Sequence, residues 1–531
     1  MLGEIGPAGL GTVDWLVVGL YMLVLVGVGL LVTRQTVKPV DYFLASRSST
    51  WPRIGLALFA SNISSTALVG LAGAAYAVGI SVYDYEWVAC LILVFFCVFL
   101  LPFILRSQVY TMPEFLERRY DGRARLYFAL MTLFLNIFVD SAGGLYSGAL
   151  VCRMIFPETP LWMIVAVLAG IAATYTILGG LRAVIYTEIV QAVVLLAGAL
   201  VTSIAAFRQA GGWETVMRRV DPAFLSLIRP IDDPGVPWPG LLFGVPILGF
   251  YYWCTNQFMI QRVISAKSLD HGRWGVLLTG LLKLPVLFLM VLPGTCAILI
   301  FPNLPKADLV YPALIFRLLP AGMVGLVVAG FLAATMASVA ATLNSASTLI
   351  TMDVVRRLLP RIPGAELVRV GRIATAAMMI LAVCWAPQLE LFPSLWQYLQ
   401  TVLAYAVPPV VALFLVGLFW RGANASGAAA TLILGSLCGS AMFLWNEVYR
   451  LSHLHFLYVA PVLLAIDTGL LVLVSLWRGS PCSEAAAATI WTPGYFREES
   501  ARLAGEPPWR NYRVLAILLL ALAATLVIWF R

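Results

Sequence analysis

Residues 52–79 form an apolar stretch interrupted by Ala60-Ser61-Asn62-Ile63-Ser64-Ser65-Thr66. Ser and Asn compete with the helical backbone for hydrogen bonds. Burying their polar groups unpaired costs several kcal/mol. Irregular backbone at membrane depth is tolerated only inside protein or against a wet cavity. A helix broken there frees carbonyl oxygens that can hold a cation. Other polar residues stand inside apolar stretches. Lys283 lies too deep in 273–302 to snorkel to the surface, so it should face a polar cavity or a carboxylate. Glu86, in Tyr83-Asp84-Tyr85-Glu86-Trp87, is either a headgroup-level carboxylate among aromatic anchors or an intramembrane functional group. Gln400 is either interhelical glue or a ligand contact. Between Ala334 and Thr348 runs a face of small residues, read either as close helix packing or as hydroxyls that join freed carbonyls around Na⁺. Asp140 and Glu188 are two further carboxylates able to pair with cations, relay protons or reach the inner surface.

These residues need elements to position them, and composition dictates which. The chain has 531 residues, 61% hydrophobic and only 11% charged, whereas soluble domains carry about a quarter charged residues. An all-α polytopic membrane protein follows. At roughly 20 apolar residues per crossing, about fourteen spans are expected. They fall near 13–33, 52–79, 83–105, 124–155, 160–179, 182–207, 240–261, 273–302, 321–352, 370–388, 396–420, 424–447, 455–477 and 512–530. Most Lys and Arg lie in the loops that face inside if the N-terminus is outside, so both termini are expected outside. That distribution accounts for the net charge of +8 without a basic soluble domain for nucleic acid. The eight cysteines and three histidines show no disulfide or metal-site spacing. Hydrophilic stretches 208–239 (outside) and 478–511 (inside) are too short for a catalytic domain, and the inner one suits a short interfacial helix. Asp467 is expected to be structural.

The stretch 240–261 is interrupted too, at Tyr251-Tyr252-Trp253-Cys254-Thr255-Asn256-Gln257. The two interrupted segments open two possible five-helix units, 52–207 and 240–420. An odd number of helices per unit inverts one relative to the other, and paired interruptions point to a central site. Residues 1–51 then hold the first span and an inner loop, and 421–531 hold three peripheral helices.

The chain resembles the sodium:solute symporters, in particular their sodium/glucose cotransporter branch. The matching motifs are Ala60-Ser61-Asn62-Ile63, Glu86-Trp87, Thr111-Met112-Pro113-Glu114-Phe115-Leu116, Gly179-Gly180-Leu181-Arg182, Tyr252-Trp253-Cys254-Thr255, Leu282-Lys283-Leu284, Asn344-Ser345-Ala346-Ser347-Thr348 and Tyr398-Leu399-Gln400. The resemblance implies a leucine-transporter-type core of two inverted five-helix repeats and alternating access. It implies that Asn62, Glu86, Lys283 and Gln400 hydrogen-bond a sugar, with Tyr252 covering it from inside and Trp253 beside it. For the cation it implies the carbonyls of Ala60, Ile63 and Ala334 and the Ser338 hydroxyl. The family places a second hydroxyl where this chain has Ala337, polar residues where it has Ala67 and Gly249, and Asp where it has Glu188.

The expected function is therefore Na⁺-coupled symport of a sugar or similar polyol, with Na⁺ as coupling ion and no other cofactor. A bilayer of the inner cell membrane and a possible homodimer complete the expected partners. Within the same fold, sialic acid, proline or a vitamin carboxylate are alternative solutes, and H⁺-coupled or uncoupled transport through Asp140 or Glu188 is an alternative mechanism. A sensor that kept the fold would need a signalling domain, and an enzyme would need a catalytic constellation. Neither is legible in the sequence.

Overall fold

The computed structural model describes residues 9–33, 47–392, 394–479 and 483–531, with the side chains of 22, 25–26, 28–33, 174–192 and 485 outside that description. The described residues are almost entirely helical and form no named strand. Seven helices are long and apolar enough to cross a membrane, or up to eleven spans if each bent pair counts as one. The expected span at 13–33 coincides with Thr12–Thr33, and the one at 240–261 falls on a shorter apolar helix, Gly240–Thr255. The loop expected between 179 and 182 is not there. Helical backbone runs unbroken over Leu161–Gln209, because no proline interrupts that sequence.

Burial ranks the helices. In Met323–Leu358 the most apolar window is 83% buried, against 22% in Tyr512–Trp529. The small-residue helix is thus central, and the C-terminal helix is an outer one. Close packing needs small side chains, which explains the Ala, Ser and Thr content of Met323–Leu349. The start of this central helix is held by Asp14 of Thr12–Thr33. Asp14 Oδ1 accepts from the amides of Gly322 and Gly325, both at 2.7 Å, where a carboxylate suits a helix N-terminus.

The first interruption is real. Trp51–Asn62 and Ser65–Val78 meet at a bend of 56°, with Ile63 at φ −79°, ψ 80° and Ser64 extended. The Ser64 amide donates to Asn62 O at 2.9 Å rather than to Ala60 O. The Ala67 amide donates to Ser64 Oγ at 3.3 Å rather than to Ile63 O. The carbonyls of Ala60 and Ile63 thereby lose the donors that a continuous helix would give them. The second interruption falls at Asn256, whose extended backbone separates the π-turn Tyr251–Thr255 from Gln257–Ile264. Pro285, without an amide hydrogen, follows the end of Leu269–Lys283, and Leu287–Ile300 continues at 42°.

On the expected inner side, the short helix predicted within 478–511 is Pro493–Leu503. It is clamped by Glu499, which forms an ion pair with Arg273 at 2.5 Å and accepts from Tyr512 at 2.7 Å and Arg513 at 2.9 Å. Burial raises the Glu499 carboxyl, but Arg273 and the bonds from Tyr512 and Arg513 outweigh it and hold the group below its ordinary value. Stability from this pairing is therefore present above the unfolded carboxyl value and lost as pH falls through the lower folded one. Glu499→Gln leaves the buried Arg273 guanidinium without its counter-charge. Thermal unfolding should show a loss of about 3–5 kcal/mol, and an unchanged melting temperature would mean that the clamp contributes nothing.

Candidate functional site

The two broken helices and their neighbours bring the mid-span polar residues together. Lys283 is 1% exposed and Glu86 5%. The Lys283 ammonium donates to the Glu86 carboxylate and to Asn62 Oδ1. Asn62 Nδ2 donates to the Tyr252 hydroxyl at 3.1 Å, so four of the expected residues form one bonded chain across four elements. Burying this lysine is possible only because the opposite charge and an amide oxygen meet it. The headgroup-level reading of Glu86 does not hold: the side chain is inside protein and spent on Lys283. The ammonium also sits 5.2 Å from the centroid of Trp253, within cation–π range.

Beside this chain lies a cavity of about 860 Å³ including its open mouth, lined by Asn62, Glu86, Tyr252, Trp253 and Gln400 among others. Gln400 has no hydrogen-bond partner among the described residues, which fits a ligand contact better than interhelical glue. Ala67 and Gly249, the two departures from the family pattern, line the same cavity, so they alter its wall directly. Asp140 lines it as well. Glu188 falls among the side chains outside the described residues. Asp467 lies elsewhere, in Phe456–Arg478, fully buried with both carboxylate oxygens unpartnered among the described residues.

The expected cation ligands lie on two elements, the broken helix and the central helix. Ala60 and Ile63 bring the unspent carbonyls of the broken helix. On the central helix, Thr335, Thr342, Thr348 and Thr351 spend their hydroxyls on carbonyls four residues back. Ser338 makes no such bond among the described residues, and it lines the cavity. Ser338 Oγ and Thr66 Oγ1 both face Gly144, each 4.0 Å from where a Cβ there would lie. Ala334 is one turn before Ser338, on the same face.

Sequence reasoning missed Trp396. It lines the cavity, its indole Nε1 is buried without a partner among the described residues, and its ring meets Tyr85 edge-on at 5.5 Å. Its spacing to Gln400, i to i+4 on one helix face, is the signal that was available.

Residues 42–435 match the model of the sodium:solute symporter family. The chain is 32% identical to a sodium/glucose cotransporter 4 of Danio rerio, over 93% of this chain and 83% of that one. It is 35% identical to a sodium/myo-inositol cotransporter 2 of Mus musculus, over 90% and 79%. Among solved structures, a Na⁺-coupled sialic acid symporter in a substrate-bound outward-open state has a TM-score of 0.77 at 20% identity, covering 89% of this chain and 99% of that one.

Proposed function

This chain belongs to the sodium:solute symporter family, and we propose that Asn62, Glu86, Lys283, Tyr252, Trp253 and Gln400 form its solute site. The activity is Na⁺-coupled symport of a sugar or similar polyol, as in the glucose and myo-inositol cotransporters it is similar to. One observation carries the site: the buried Lys283–Glu86 pair, bonded to Asn62 at the helix break and set against a cavity with a polar and aromatic lining. A neutral polyol needs several donors and acceptors. Gln400 offers both, Tyr252 a hydroxyl and Glu86 its remaining acceptor capacity. Such a site rejects solutes that leave these groups unpaired.

The Ala60, Ile63 and Ala334 carbonyls and the Ser338 hydroxyl form the Na⁺ site in this reading, since a hard cation takes oxygen ligands. The architecture we assign places the two repeats at 52–207 and 240–420, with Leu161–Gln209 as one continuous helical element of the first. Na⁺ binding then favours the outward-open, solute-competent state, which is a coupling free energy between two sites.

The test is uptake in proteoliposomes under an inward Na⁺ or K⁺ gradient, with labelled D-glucose and myo-inositol. Uptake driven by Na⁺ alone is expected, and equal uptake in K⁺ would sink the coupling. Ala337→Ser adds a hydroxyl next to Ser338. One added ligand worth about 1 kcal/mol lowers the half-saturating Na⁺ concentration roughly fivefold. No change in that concentration would place the cation away from this helix.

A further inference from the structure

Asp140 holds an unusual position in the proposed solute site. It lies in the π-turn Asn136–Ser141, inserted between Gly122–Leu135 and Ala142–Ile155. Such turns interrupt the regular helical register and frequently occur at functional sites. This one is pinned on both sides. Asn136 Nδ2 donates to Ser345 Oγ at 3.2 Å, and the Tyr398 hydroxyl donates to Phe138 O at 2.9 Å.

The charges of the cavity do not balance. Among the described residues, its charged lining consists of two carboxylates, Glu86 and Asp140. Lys283 neutralises Glu86 and bonds Asn62 as well. Asp140 has no hydrogen-bond or ion-pair partner among the described residues. A carboxylate held in such surroundings without a counter-charge is costly, and the cost falls when a cation arrives with the ligand.

The rest of the wall suits a cation too. Tyr85, Tyr252, Trp253 and Trp396 line the same cavity, and aromatic faces attract ammonium groups. A carboxylate-bearing solute would instead meet Asp140 as a like charge.

We propose that Asp140 pairs with a protonated amine on the solute, so that the preferred solutes are polyhydroxylated rings carrying an ammonium group. This rests on the solute-site reading above and deepens it. A charge-assisted hydrogen bond at Asp140 adds to the polyol contacts and discriminates by charge as well as by shape.

The experiment uses the full chain in proteoliposomes with an inward Na⁺ gradient. Labelled D-glucosamine, N-acetyl-D-glucosamine, D-glucose and myo-inositol are compared, acetylation removing the charge while keeping the ring. D-Glucosamine is expected to show a half-saturating concentration about tenfold below that of D-glucose and of its acetylated form. That ratio should collapse towards one in Asp140→Asn and persist in Asp140→Glu. Equal affinities in the unaltered protein would overturn the proposal without any variant. A ratio that survives Asp140→Asn would overturn it as well. If Asp140→Asn raises the half-saturating Na⁺ concentration and leaves the ratio intact, the carboxylate serves the coupling ion and the proposal is wrong. Na⁺-driven uptake of neutral polyols without amine preference refutes this inference alone. Absence of Na⁺-driven uptake for every probe refutes the symport reading, and this one with it.

Discussion

Lys283→Ala is expected to abolish Na⁺-driven solute uptake, a loss of at least about two orders of magnitude if the polar groups of the site are left unpaired. The reason is geometric. The ammonium holds Glu86 and Asn62 together, and both line the cavity. Without it, Asn62 loses its acceptor bond and Glu86 becomes a buried charge without a partner. Removing one member of a buried pair costs about 3–5 kcal/mol, so the single variant mixes loss of fold with loss of site. The double variant Glu86→Gln with Lys283→Met separates them. It removes both charges, and well-packed neutral replacements of a buried ion pair are often neutral or stabilising. We expect its melting temperature to recover most of what each single variant loses, while uptake stays at background. Wild-type uptake by the double variant would reduce the pair to structural glue and remove Lys283 and Glu86 from the solute site.

The residues at fault lines of the helices were the most legible part of the sequence. Ser-Asn-Ile-Ser-Ser-Thr cannot continue an apolar helix cheaply, and the break is where those residues stand. Lys283 was legible for the same reason: depth left it no route to water, so a polar cavity or a carboxylate had to meet it. Which carboxylate met it was not legible from burial or periodicity. Glu86 lies 197 residues away in sequence, and local patterns do not encode which helices touch. Nor does hydropathy mark where one span ends and the next begins when no proline or charge cluster intervenes, as along Leu161–Gln209. Trp396 shows a third limit. A tryptophan in an apolar helix reads as packing, and only its unpartnered indole beside the cavity marks it as a candidate for solute contact.

Ser338→Ala is expected to uncouple transport from Na⁺, and it is the reciprocal of Ala337→Ser. In the central helix the neighbouring threonines return their hydroxyls to their own backbone, and residue 337 has none to give. Ser338 is thus the side-chain oxygen that can complete a cage begun by the freed carbonyls of Ala60 and Ile63. Removing it leaves carbonyls alone, and each lost ligand to a charged group costs about 1.5–3 kcal/mol. The half-saturating Na⁺ concentration should rise by roughly tenfold or more. Accumulation under a Na⁺ gradient should then fall towards the level seen in K⁺. Solute binding measured without Na⁺ should not move, because Asn62, Glu86, Lys283 and Gln400 are untouched. That contrast separates the cation half of the broken helix from its solute half. Unchanged Na⁺ dependence in Ser338→Ala would move the cation off this joint. A parallel loss of Na⁺-free solute binding would show that the two halves cannot be divided.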